Sequence, residues 1–359
     1  MRAALFLEAG APLSVQDVEL LPPGPNDVVV RVTATALCQT DVSVRAGKYG
    51  YGAPLIMGHE ACGVIEALGA AVTGLSVGDR VATSSAPACG ACENCLGGRP
   101  HVCVLAQEVR KPVRARLPDG SLAMGLYGVG SFAERMTVNQ ASVVALRTRL
   151  PDAELALIGC GVTTGLGAVL NRTDLKPGGS LAVIGCGAVG LAAIQGARIA
   201  GAVTVIGIDP REARRADARA MGASLTLDPG PSVVEAVLEA TGGRGVDACI
   251  DGVGLPATVD QAYAMTRQAG SVVIVGLPPQ GATFSFDAWP FFLSEKRISS
   301  SLFGSADIRR DFPRYARFAE EGRLNLGGLV SRTLTLDQVN EGLDALAAGD
   351  VVRAVIVPD

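Results

Sequence analysis

Residues 175–194 read LKPGGSLAVIGCGAVGLAAI, and this stretch decides the fold of the middle part of the chain. An apolar run at 180–184 leads into glycines at 185, 187 and 190, and helix-compatible sequence follows. A buried strand that turns through G-x-G-x-x-G into a helix can hold a pyrophosphate, because the helix N-terminus presents free N–H groups. The motif alone is weak evidence, but here it has the required context. We predict that it binds a dinucleotide through Gly185, Gly187, Ala188, Val189 and Gly190.

Asp209 ends the next apolar run and favours one dinucleotide over another. A carboxylate at this point accepts hydrogen bonds from the adenosine ribose hydroxyls and repels a 2′-phosphate, so NAD is favoured over NADP. Nearby arginines weaken this prediction, because an arginine can accommodate a 2′-phosphate; they are Arg211, Arg214 and Arg215. The alternative is that Asp209 only caps a loop.

The sequence around this motif alternates between strands and helices from about residue 163 onward. Successive strands of a parallel sheet are predicted at 180–184, 203–208, 224–227, 248–251 and 271–275, each followed by helix-compatible sequence. Residues 1 to about 160 instead contain short strands, predicted at 3–6, 27–35, 61–68 and 80–83, with proline and glycine turns between them. A helix at 336–348 and a strand at 353–357 are predicted near the end. The expected class is α/β.

Length and composition agree with a globular protein of two domains. The chain has 359 residues, a length that exceeds what one hydrophobic core usually serves. Hydrophobic residues make up 48% of it and charged residues 18%, as in a globular protein. A net charge of −4 argues against a nucleic-acid surface. The first residues lack the apolar run of a signal peptide, and the apolar stretch 181–208 fits a buried strand–helix–strand unit better than a membrane span. We expect a cytoplasmic protein without a membrane or nucleic-acid partner.

Four cysteines lie within fifteen residues, at Cys89, Cys92, Cys95 and Cys103. Thiolates at this spacing can reach one tetrahedral zinc ion, and a site closed by four sulfurs is structural. Two disulfides or an iron–sulfur cluster are the alternatives, and the absence of a secretion signal disfavours the disulfides.

A more dispersed set consists of Cys38, His59 and Cys160. Two thiolates and one imidazole are a known ligand set for a catalytic zinc whose fourth position stays open. Each residue alone is weak evidence, because a lone buried cysteine is more often a small hydrophobe. The set gains weight from the four-cysteine lobe and the dinucleotide motif.

The order of these motifs resembles the zinc-dependent medium-chain alcohol dehydrogenase family over essentially the whole chain. The resemblance is carried by CQTD at 38–41, GHE at 58–60, the lobe at 89–103, GCGVTTG at 159–165 and the glycine motif. It implies a GroES-like, mainly β catalytic domain at 1–161 and a Rossmann domain with a doubly wound parallel sheet at 162–302. Residues 303–359 would return to the catalytic domain. It also implies two zinc ions per chain, one catalytic and one structural.

The family further implies roles for individual residues of this chain. Thr40 would take the proton of the alcohol, Asp41 would orient His59, and Glu60 would lie just behind the zinc. Some relatives end their proton relay at a histidine where this chain has Ser43. The implied cofactor contacts beyond the glycine motif are Arg214, Val275, Gly276, Leu277, Phe303 and Arg353.

The alcohol pocket can be located only through the resemblance. Its implied lining is Tyr49, Ser85, Leu126, Tyr127, Leu277 and Leu302. Ser85 is small where many relatives carry a bulky aromatic residue, so branched, allylic or aromatic alcohols are expected to fit. The alternative is that Ser85 marks only a drift in the loop alignment.

The sequence therefore predicts an NAD-dependent zinc dehydrogenase of primary or secondary alcohols. One alternative is a dehydrogenase of a thiol-bound hydroxymethyl adduct of formaldehyde, although Tyr49 and Tyr51 replace the acidic residues that read a glutathione moiety in such relatives. A second alternative is a nucleotide-binding protein that has kept the fold without catalysis. The family also implies a homodimer, or a tetramer, assembled through the cofactor domains, with residues 283–302 supplying a sheet edge.

Overall fold

A computed structural model describes residues 1–358 and divides them into two compact units. The first unit contains residues 1–160, 307–322 and 326–358, and the second contains residues 161–306 and 323–325. The sequence placed the return to the first domain at residue 303, whereas residues 303–306 lie in the second unit. Asn325 joins the second unit because its N–H donates to the Gln195 side chain at 2.6 Å.

The amino-terminal part of the first unit is built mainly from short strands. The longest of them, at 27–36, is rich in valine and threonine, which suit a strand that is buried on both faces. The strands are β1 (Arg2–Phe6), β2 (Ser14–Asp17), β3 (Glu19–Leu20), β4 (Asp27–Ala36), β5 (Leu55–Ile56), β6 (Glu60–Leu68), β7 (Arg80–Thr83), β8 (Val113–Arg116), β9 (Leu122–Gly125), β10 (Arg135–Asn139) and β11 (Val143–Ala145). The helices are α1 (Gln39–Arg45), α2 (Glu93–Leu96), α3 (Ala106–Arg110) and α4 (Asp152–Leu157).

The second unit alternates between helix and strand, as its sequence predicts. Its helices are α5 (Gly161–Leu170), α6 (Ala188–Ile199), α7 (Glu212–Ala220), α8 (Val233–Ala240), α9 (Pro256–Met265) and α10 (Ala288–Ser294). Its strands are β12 (Ser180–Ile184), β13 (Thr204–Ile208), β14 (Leu225–Leu227), β15 (Val246–Asp251), β16 (Thr266–Ile274) and β17 (Arg297–Ser300). All six strands pair in parallel, in the order β14-β13-β12-β15-β16-β17. The order reverses direction between β12 and β15, where open α/β sheets form their ligand crevice.

The chain then returns to the first unit and completes its larger sheet. The returning elements are α11 (Ile308–Glu320), β18 (Val330–Leu334), α12 (Val339–Ala348) and β19 (Arg353–Ile356). β19 pairs with β4 in a sheet of order β11-β7-β6-β4-β19-β18, to which β10 adds beside β4. The second sheet of this unit has the order β2-β1-β5-β9-β8-β3. The carboxyl-terminal strand is therefore an interior strand of the domain that carries the candidate metal ligands.

Each unit has apolar cores of its own. In the second unit the core lies between the sheet and its helices, with Ala182, Ile206 and Val272 among its fully buried members. In the first unit the largest cluster packs Phe132, Met57 and Leu343 together. None of the helices within residues 1–358 combines the length and apolar character needed to cross a membrane.

Candidate active site

Four side chains from separate elements converge in the first unit. Cys38 lies at the N-cap of α1 directly after β4, His59 and Glu60 lie at the start of β6, and Cys160 follows α4. One donor atom from each lies within 4.8 Å of every other. The turn before His59 needs glycine, because Gly58 has φ +89° and a Cβ there would lie 2.3 Å from the Phe132 ring. The sequence-predicted set Cys38, His59 and Cys160 is thus brought together, with Glu60 beside it.

Asp41 fixes the orientation of the imidazole. Its carboxylate is fully buried, with Oδ1 3.2 Å from His59 Nδ1 and Oδ2 accepting the Cys38 N–H at 2.9 Å. Burial alone would lower the pKa of His59, but Asp41 and Cys38 together outweigh it and raise that pKa well above its usual range. Since Nδ1 faces Asp41, Nε2 is the nitrogen left to bind a metal, the arrangement that metal-binding histidines usually have.

Arg353 and Glu60 form a buried ion pair behind the donor set. Arg353 Nη2 lies 3.1 Å from Glu60 Oε1, and Nη1 donates to the Leu37 carbonyl at 2.8 Å. Burial raises the pKa of Glu60 to about 8, against the opposing effect of Arg353. Arg353 is only 4% exposed. Arg353 also interacts with the Cys38 and Cys160 sulfurs, so its side chain is directed at the donor set, and the pyrophosphate contact that the family implies stays a prediction.

The chemistry of this donor set fits a zinc ion. Two sulfurs and one imidazole nitrogen suit a borderline-soft cation, and three such ligands leave a fourth position open. The hydrogen bond between the two thiols lowers the pKa of Cys38 well below its usual range and raises that of Cys160, so Cys38 is the thiolate of the pair, and a bound cation would favour the thiolate form of Cys160 as well. Thiolate is the form of cysteine that binds metal. We conclude that these residues can hold a catalytic zinc.

The four cysteines of the lobe also converge. One donor atom from each lies within 4.8 Å of the others, with Sγ separations of 3.9 Å from Cys89 to Cys95 and 3.8 Å from Cys92 to Cys103. Four sulfurs around one zinc at a Zn–S distance of about 2.3 Å would be about 3.8 Å apart. Backbone N–H groups, first that of Cys95, lower the pKa of Cys92 to about 6.

These distances also bear on the alternatives for the lobe. All nine cysteines are free, and the two Sγ separations are nearly twice the length of a disulfide bond. In an iron–sulfur cluster the four thiolates are divided among two or four irons, so they do not all surround a single ion. The lobe therefore fits one tetrahedral ion better than either alternative.

Thr40 and Ser43 lie on α1, which begins at the donor set. Thr40 is in the first turn and half-buried, and Ser43 lies one turn later and is buried. Their place after Cys38 puts both hydroxyls on the helix that the metal ligand caps.

The glycine motif of the second unit forms the expected turn from β12 into α6. Gly185 has φ +87°, and a Cβ on Gly190 would lie 1.9 Å from the Gly185 carbonyl oxygen. A Cβ on Gly187 would meet nothing within 4 Å. Gly187 caps α6 without a side chain, and Ala188 and Val189 follow in its first turn. The turn is therefore tight at 185, closely packed at 190 and open at 187, where a phosphate needs access.

Asp209 and the arginines of α7 lie beside this turn. Asp209 Oδ2 accepts the Cys186 N–H and Oδ1 accepts the Arg211 N–H, both at 2.9 Å. Arg214 Nη1 donates to Asp217 at 3.1 Å, and Arg215 binds Glu212, Asp228 and the Asp209 carbonyl. The loop-capping role considered for Asp209 is thus present in the structure.

The two loops after β15 and β16 interlock at the same edge of the sheet. The Asp251 carbonyl accepts the N–H groups of Val275 and Gly276, and its carboxylate accepts those of Val253 and Gly254. The sequence reasoning missed Asp251, although an acidic residue that ends a buried strand is a visible signal. Leu277 is exposed beyond this contact, and Phe303 is buried within the same unit.

The residues implied as the pocket lining differ in exposure. Tyr127 is half-buried and stands edge-on to the His59 ring, with ring centroids 5.5 Å apart. Leu126 is fully buried in the core of the first unit, so it supports the pocket from beneath rather than lining its surface. Ser85 is half-buried, and the exposed members are Tyr49, Leu277 and Leu302.

Two further side chains pack against Tyr127, and sequence reasoning named Tyr51 only as a replacement for an acidic residue and did not name Arg110. The Tyr51 ring lies 6.0 Å from the Tyr127 ring, and the Arg110 guanidinium lies 4.9 Å from its centroid. Neither residue belongs to a motif, so no local pattern could have found them.

Comparisons with known families match both units. Residues 24–148 match the alcohol dehydrogenase GroES-like domain, and residues 188–321 match the zinc-binding dehydrogenase family. A Mycobacterium tuberculosis protein that carries the name alcohol dehydrogenase D is 37% identical over 366 residues, covering 99% of each chain. The geraniol dehydrogenase of Castellaniella defragrans is 34% identical over 366 residues, covering 99% of this chain and 97% of its own.

Solved structures agree over the same length. The benzyl alcohol dehydrogenase of Acinetobacter calcoaceticus superposes with a TM-score of 0.92 at 30% identity, covering 100% of this chain and 99% of its own. A zinc-binding dehydrogenase of Sinorhizobium meliloti, solved with NADP bound, gives a TM-score of 0.82 at 29% identity, covering 99% of each chain. These likenesses confirm the predicted fold class of a GroES-like domain joined to a Rossmann domain.

Proposed function

Because the chain belongs to the zinc-dependent medium-chain alcohol dehydrogenases, we propose that it oxidises a primary or secondary alcohol, of allylic or aromatic type, with NAD. The family makes it an oxidoreductase that acts on alcohols. The observation that carries the proposal is the convergence of Cys38, His59 and Cys160 within 4.8 Å. When bound, zinc supplies the Lewis acidity that favours loss of the alcohol proton, and the nicotinamide accepts the hydride.

The chain's own residues prepare the donor set for this reaction. Asp41 holds the imidazole with Nε2 toward the sulfurs, so the ligand is preorganised. Arg353 places a positive charge beside Glu60 at 3.1 Å and thereby offsets the charge of that carboxylate, and a bound Zn2+ would offset the charges of the two thiolates. These contacts support a site that holds its ligands in place before substrate enters.

We assign the alcohol proton to Thr40, on the first turn of α1 beside Cys38. A hydroxyl can accept and donate one proton at once, so Thr40 can pass it onward without changing charge. Ser43 lies one turn further along the same helix, where some relatives have a histidine. The pH profile of the reaction should therefore lack the contribution of a histidine base at the end of this path.

NAD as the cofactor is supported by the charges beside the glycine motif. The Asp209 carboxylate accepts the Cys186 N–H within the glycine turn, and its negative charge would repel a 2′-phosphate bound beside it. Arg214 and Arg215 pair with carboxylates of their own unit. The Sinorhizobium meliloti relative was solved with NADP bound, so a preference of this chain for NADP is the outcome to test against. Asp209→Asn should lower kcat/KM for NAD and raise kcat/KM for NADP. Equal kcat/KM values of the wild-type protein for both cofactors would contradict the preference.

The alcohol class is supported by the pocket residues and by two relatives. Ser85 is small where many relatives carry a bulky aromatic residue, and flat substituents would pack well against the Tyr127 ring. The relatives named for geraniol and benzyl alcohol carry an allylic and an aromatic alcohol in their names.

The first experiment follows NADH absorbance with ethanol, cinnamyl, benzyl and secondary alcohols, using NAD and NADP. The protein should turn over at least one alcohol with NAD, with cinnamyl or benzyl alcohol preferred in kcat/KM. Cys160→Ala should abolish turnover, whereas Cys62→Ser, outside the donor set, should retain it. No turnover by a wild-type protein that contains its zinc would reject the proposal.

A homodimer is supported by the exposed edge of the second unit's sheet. β17 is the last strand of that sheet, and α10 before it exposes Trp289, Phe292 and Leu293 by 72, 75 and 57%. An unpaired edge beside a large apolar patch is a pairing surface.

Phe292→Glu should shift the mass measured by light scattering toward that of a monomer. Leu96→Glu, at an equally exposed leucine of the zinc lobe, should leave the mass unchanged; if both variants keep the wild-type mass, α10 is not the interface.

A further inference from the structure

The ring of Tyr127 covers one side of the candidate metal ligand His59. The two rings meet edge-on, at 74° with centroids 5.5 Å apart, and Tyr51 meets Tyr127 edge-on at 6.0 Å. The family also implies Tyr127 as a lining residue of the alcohol pocket, so the position of its ring would set the width of the space beside the metal donors.

The backbone at Tyr127 does not favour this position by itself. Tyr127 has φ 54° and ψ 20°, a left-handed conformation that a bulky side chain disfavours. Gly128 and Gly130, which follow, also have positive φ values of 76° and 66°. Such a turn persists only where its surroundings hold it, so the contacts around Tyr127 decide where its ring lies.

Those contacts come from the end of α3. A Cβ on Gly128 would lie 2.3 Å from the Val109 carbonyl oxygen and 3.2 Å from the Arg110 Cα, so the end of α3 packs directly on this turn. The Arg110 guanidinium then lies over the Tyr127 ring, 4.9 Å from its centroid. Its Nη2 donates to the Ser85 carbonyl at 2.9 Å. The Arg110 side chain therefore contacts both Tyr127 and Ser85, two of the residues implied as the lining of the pocket.

The chemistry of arginine suits both contacts at once. A planar guanidinium can lie over an aromatic face and still direct an N–H to a carbonyl, which an ammonium on a flexible stem does less well. Arg110 Nε is buried and has no hydrogen-bond partner among the described residues. The guanidinium is thus held by Tyr127 and Ser85 rather than by a carboxylate.

We propose that Arg110 is a positioning residue for substrate selection: it fixes Tyr127 and the Ser85 loop as the wall of the alcohol pocket. This inference rests on the proposed function, because the wall matters only if an alcohol binds beside His59. An alcohol large enough to reach the ring depends on the wall, whereas a two-carbon alcohol does not. Loss of Arg110 therefore weakens the binding of an aromatic alcohol and leaves that of ethanol almost unchanged.

The test compares Arg110→Met with Lys111→Met in the zinc-loaded enzyme. Both variants remove one positive charge from adjacent residues, but Lys111 is exposed and pairs only with Glu108, at 2.8 Å. Arg110→Met should raise KM for benzyl alcohol about tenfold with kcat within about twofold, the pattern of lost uniform binding. KM for ethanol should stay near the wild-type value. Arg110→Lys should be intermediate, and Lys111→Met should match the wild type.

A binding measurement separates this inference from the function on which it rests. In cobalt-substituted protein, the visible absorption change gives a Kd for benzyl alcohol, which should rise about tenfold in Arg110→Met and not in Lys111→Met. Equal losses of kcat/KM for both alcohols in Arg110→Met, or an unchanged Kd, would overturn the inference. A wild-type protein that binds benzyl alcohol but oxidises no alcohol would contradict the proposed function alone.

Discussion

Asp41 shows how much of the donor set depends on a single carboxylate. It is fully buried, it accepts the Cys38 N–H through one oxygen, and it holds His59 Nδ1 through the other. Two of the candidate zinc ligands are therefore positioned by the same side chain. Substitution of Asp41 should lower the affinity for zinc at this site rather than the stability of the fold as a whole.

Asp41→Asn should weaken zinc binding at this site about 10- to 100-fold, the usual cost of losing the partner of a metal-binding histidine. The amide keeps the size of the carboxylate but removes the charge that holds the imidazole. Competition with a chromophoric chelator measures the affinity. Asp344→Asn is the matched control, because Asp344 is exposed and pairs only with Arg45. Equal zinc affinity in wild type and Asp41→Asn would show that His59 needs no such partner.

At the scale of single elements, the turn from β12 to α6 contains one glycine that is needed for packing and another that is needed for binding. The Gly190 position touches the Gly185 carbonyl, whereas the Gly187 position faces open space. Gly190→Ala should therefore destabilise the second unit by about 1–3 kcal/mol, the cost of overpacking, as measured by thermal unfolding.

Gly187→Ala should give the opposite pattern. Its φ of −72° suits alanine and its Cβ would meet no neighbour, so Tm should stay near the wild-type value. The methyl group would project into the space that a pyrophosphate needs, so NAD binding measured by calorimetry should weaken. Unchanged NAD affinity in Gly187→Ala would place the cofactor elsewhere.

The opposite end of the same sheet is tied together by Asp247. Its carboxylate accepts the N–H and hydroxyl of Ser180 at 2.7 and 2.9 Å, and Arg267 Nε at 2.6 Å. Partial burial would raise the pKa of Asp247, but the hydrogen bonds from Arg267 and Ser180 outweigh it and lower that pKa. A lowered folded-state pKa contributes stability above the unfolded value of about 4, and this stability is lost as the pH falls through the folded-state value.

Asp247→Asn should therefore lower Tm by about 2–4 °C at pH 7, the shift that about 1 kcal/mol gives in a domain of this size. The difference from wild type should shrink as the pH falls below about 4, because the wild-type carboxyl then becomes neutral too. Asp260→Asn, on the exposed side of α9, controls for the loss of one acidic group. A difference that stays constant from pH 3 to 7 would mean that the charge of Asp247 is not what stabilises the sheet.

Elements were predictable from the sequence where their pattern was local. The run at 180–184 and the glycines after it predict β12 and the start of α6 because strand, turn and helix signals are adjacent. β16 was predicted from residue 271 but begins at Thr266. The strand is interrupted by a kink at Ala269, where φ is +53°, and its regular pairing with β15 resumes at Ser271. The predicted helix 336–348 opens with a 3-10 turn at Leu336–Gln338, capped by Thr335. Such irregularities depend on tertiary packing and leave little trace in composition.

At the scale of the whole molecule, the predictable part of the site was the part with distinctive chemistry. Cysteine and histidine are rare and bind metals, so Cys38, His59 and Cys160 stood out although 122 positions separate the first from the last. Arg353 beside Glu60 is a pairing between distant segments that no spacing reveals, since its side chain is set by the return of β19 to the sheet. Arg110 over Tyr127 depends in the same way on where α3 packs.

The two candidate zinc sites differ in their ligands, and this difference gives the last prediction. The lobe would hold its ion with four thiolates, whereas Cys38, His59 and Cys160 would hold theirs with three ligands, since Glu60 is paired with Arg353. A chelator should therefore remove the ion beside Cys38 first, and activity should fall before Tm changes. The second ion should leave more slowly, and its loss should lower Tm because the lobe's structure depends on it.

Metal analysis of three variants assigns the ions to their sites. Wild type and Cys62→Ser should each contain about two zinc ions per chain, since the Cys62 thiol lies outside both sets and donates to the Asp152 carbonyl. Cys160→Ala should contain about one ion and keep a Tm near the wild-type value, because the closed lobe is intact. Cys92→Ser should also contain about one ion, but with a lower Tm. Without its fourth sulfur the lobe binds zinc too weakly to offset the entropic cost of closing the loop. A Cys92→Ser protein with two ions and unchanged Tm would mean that the lobe does not need its fourth sulfur, and the structural role assigned to the four cysteines would fail.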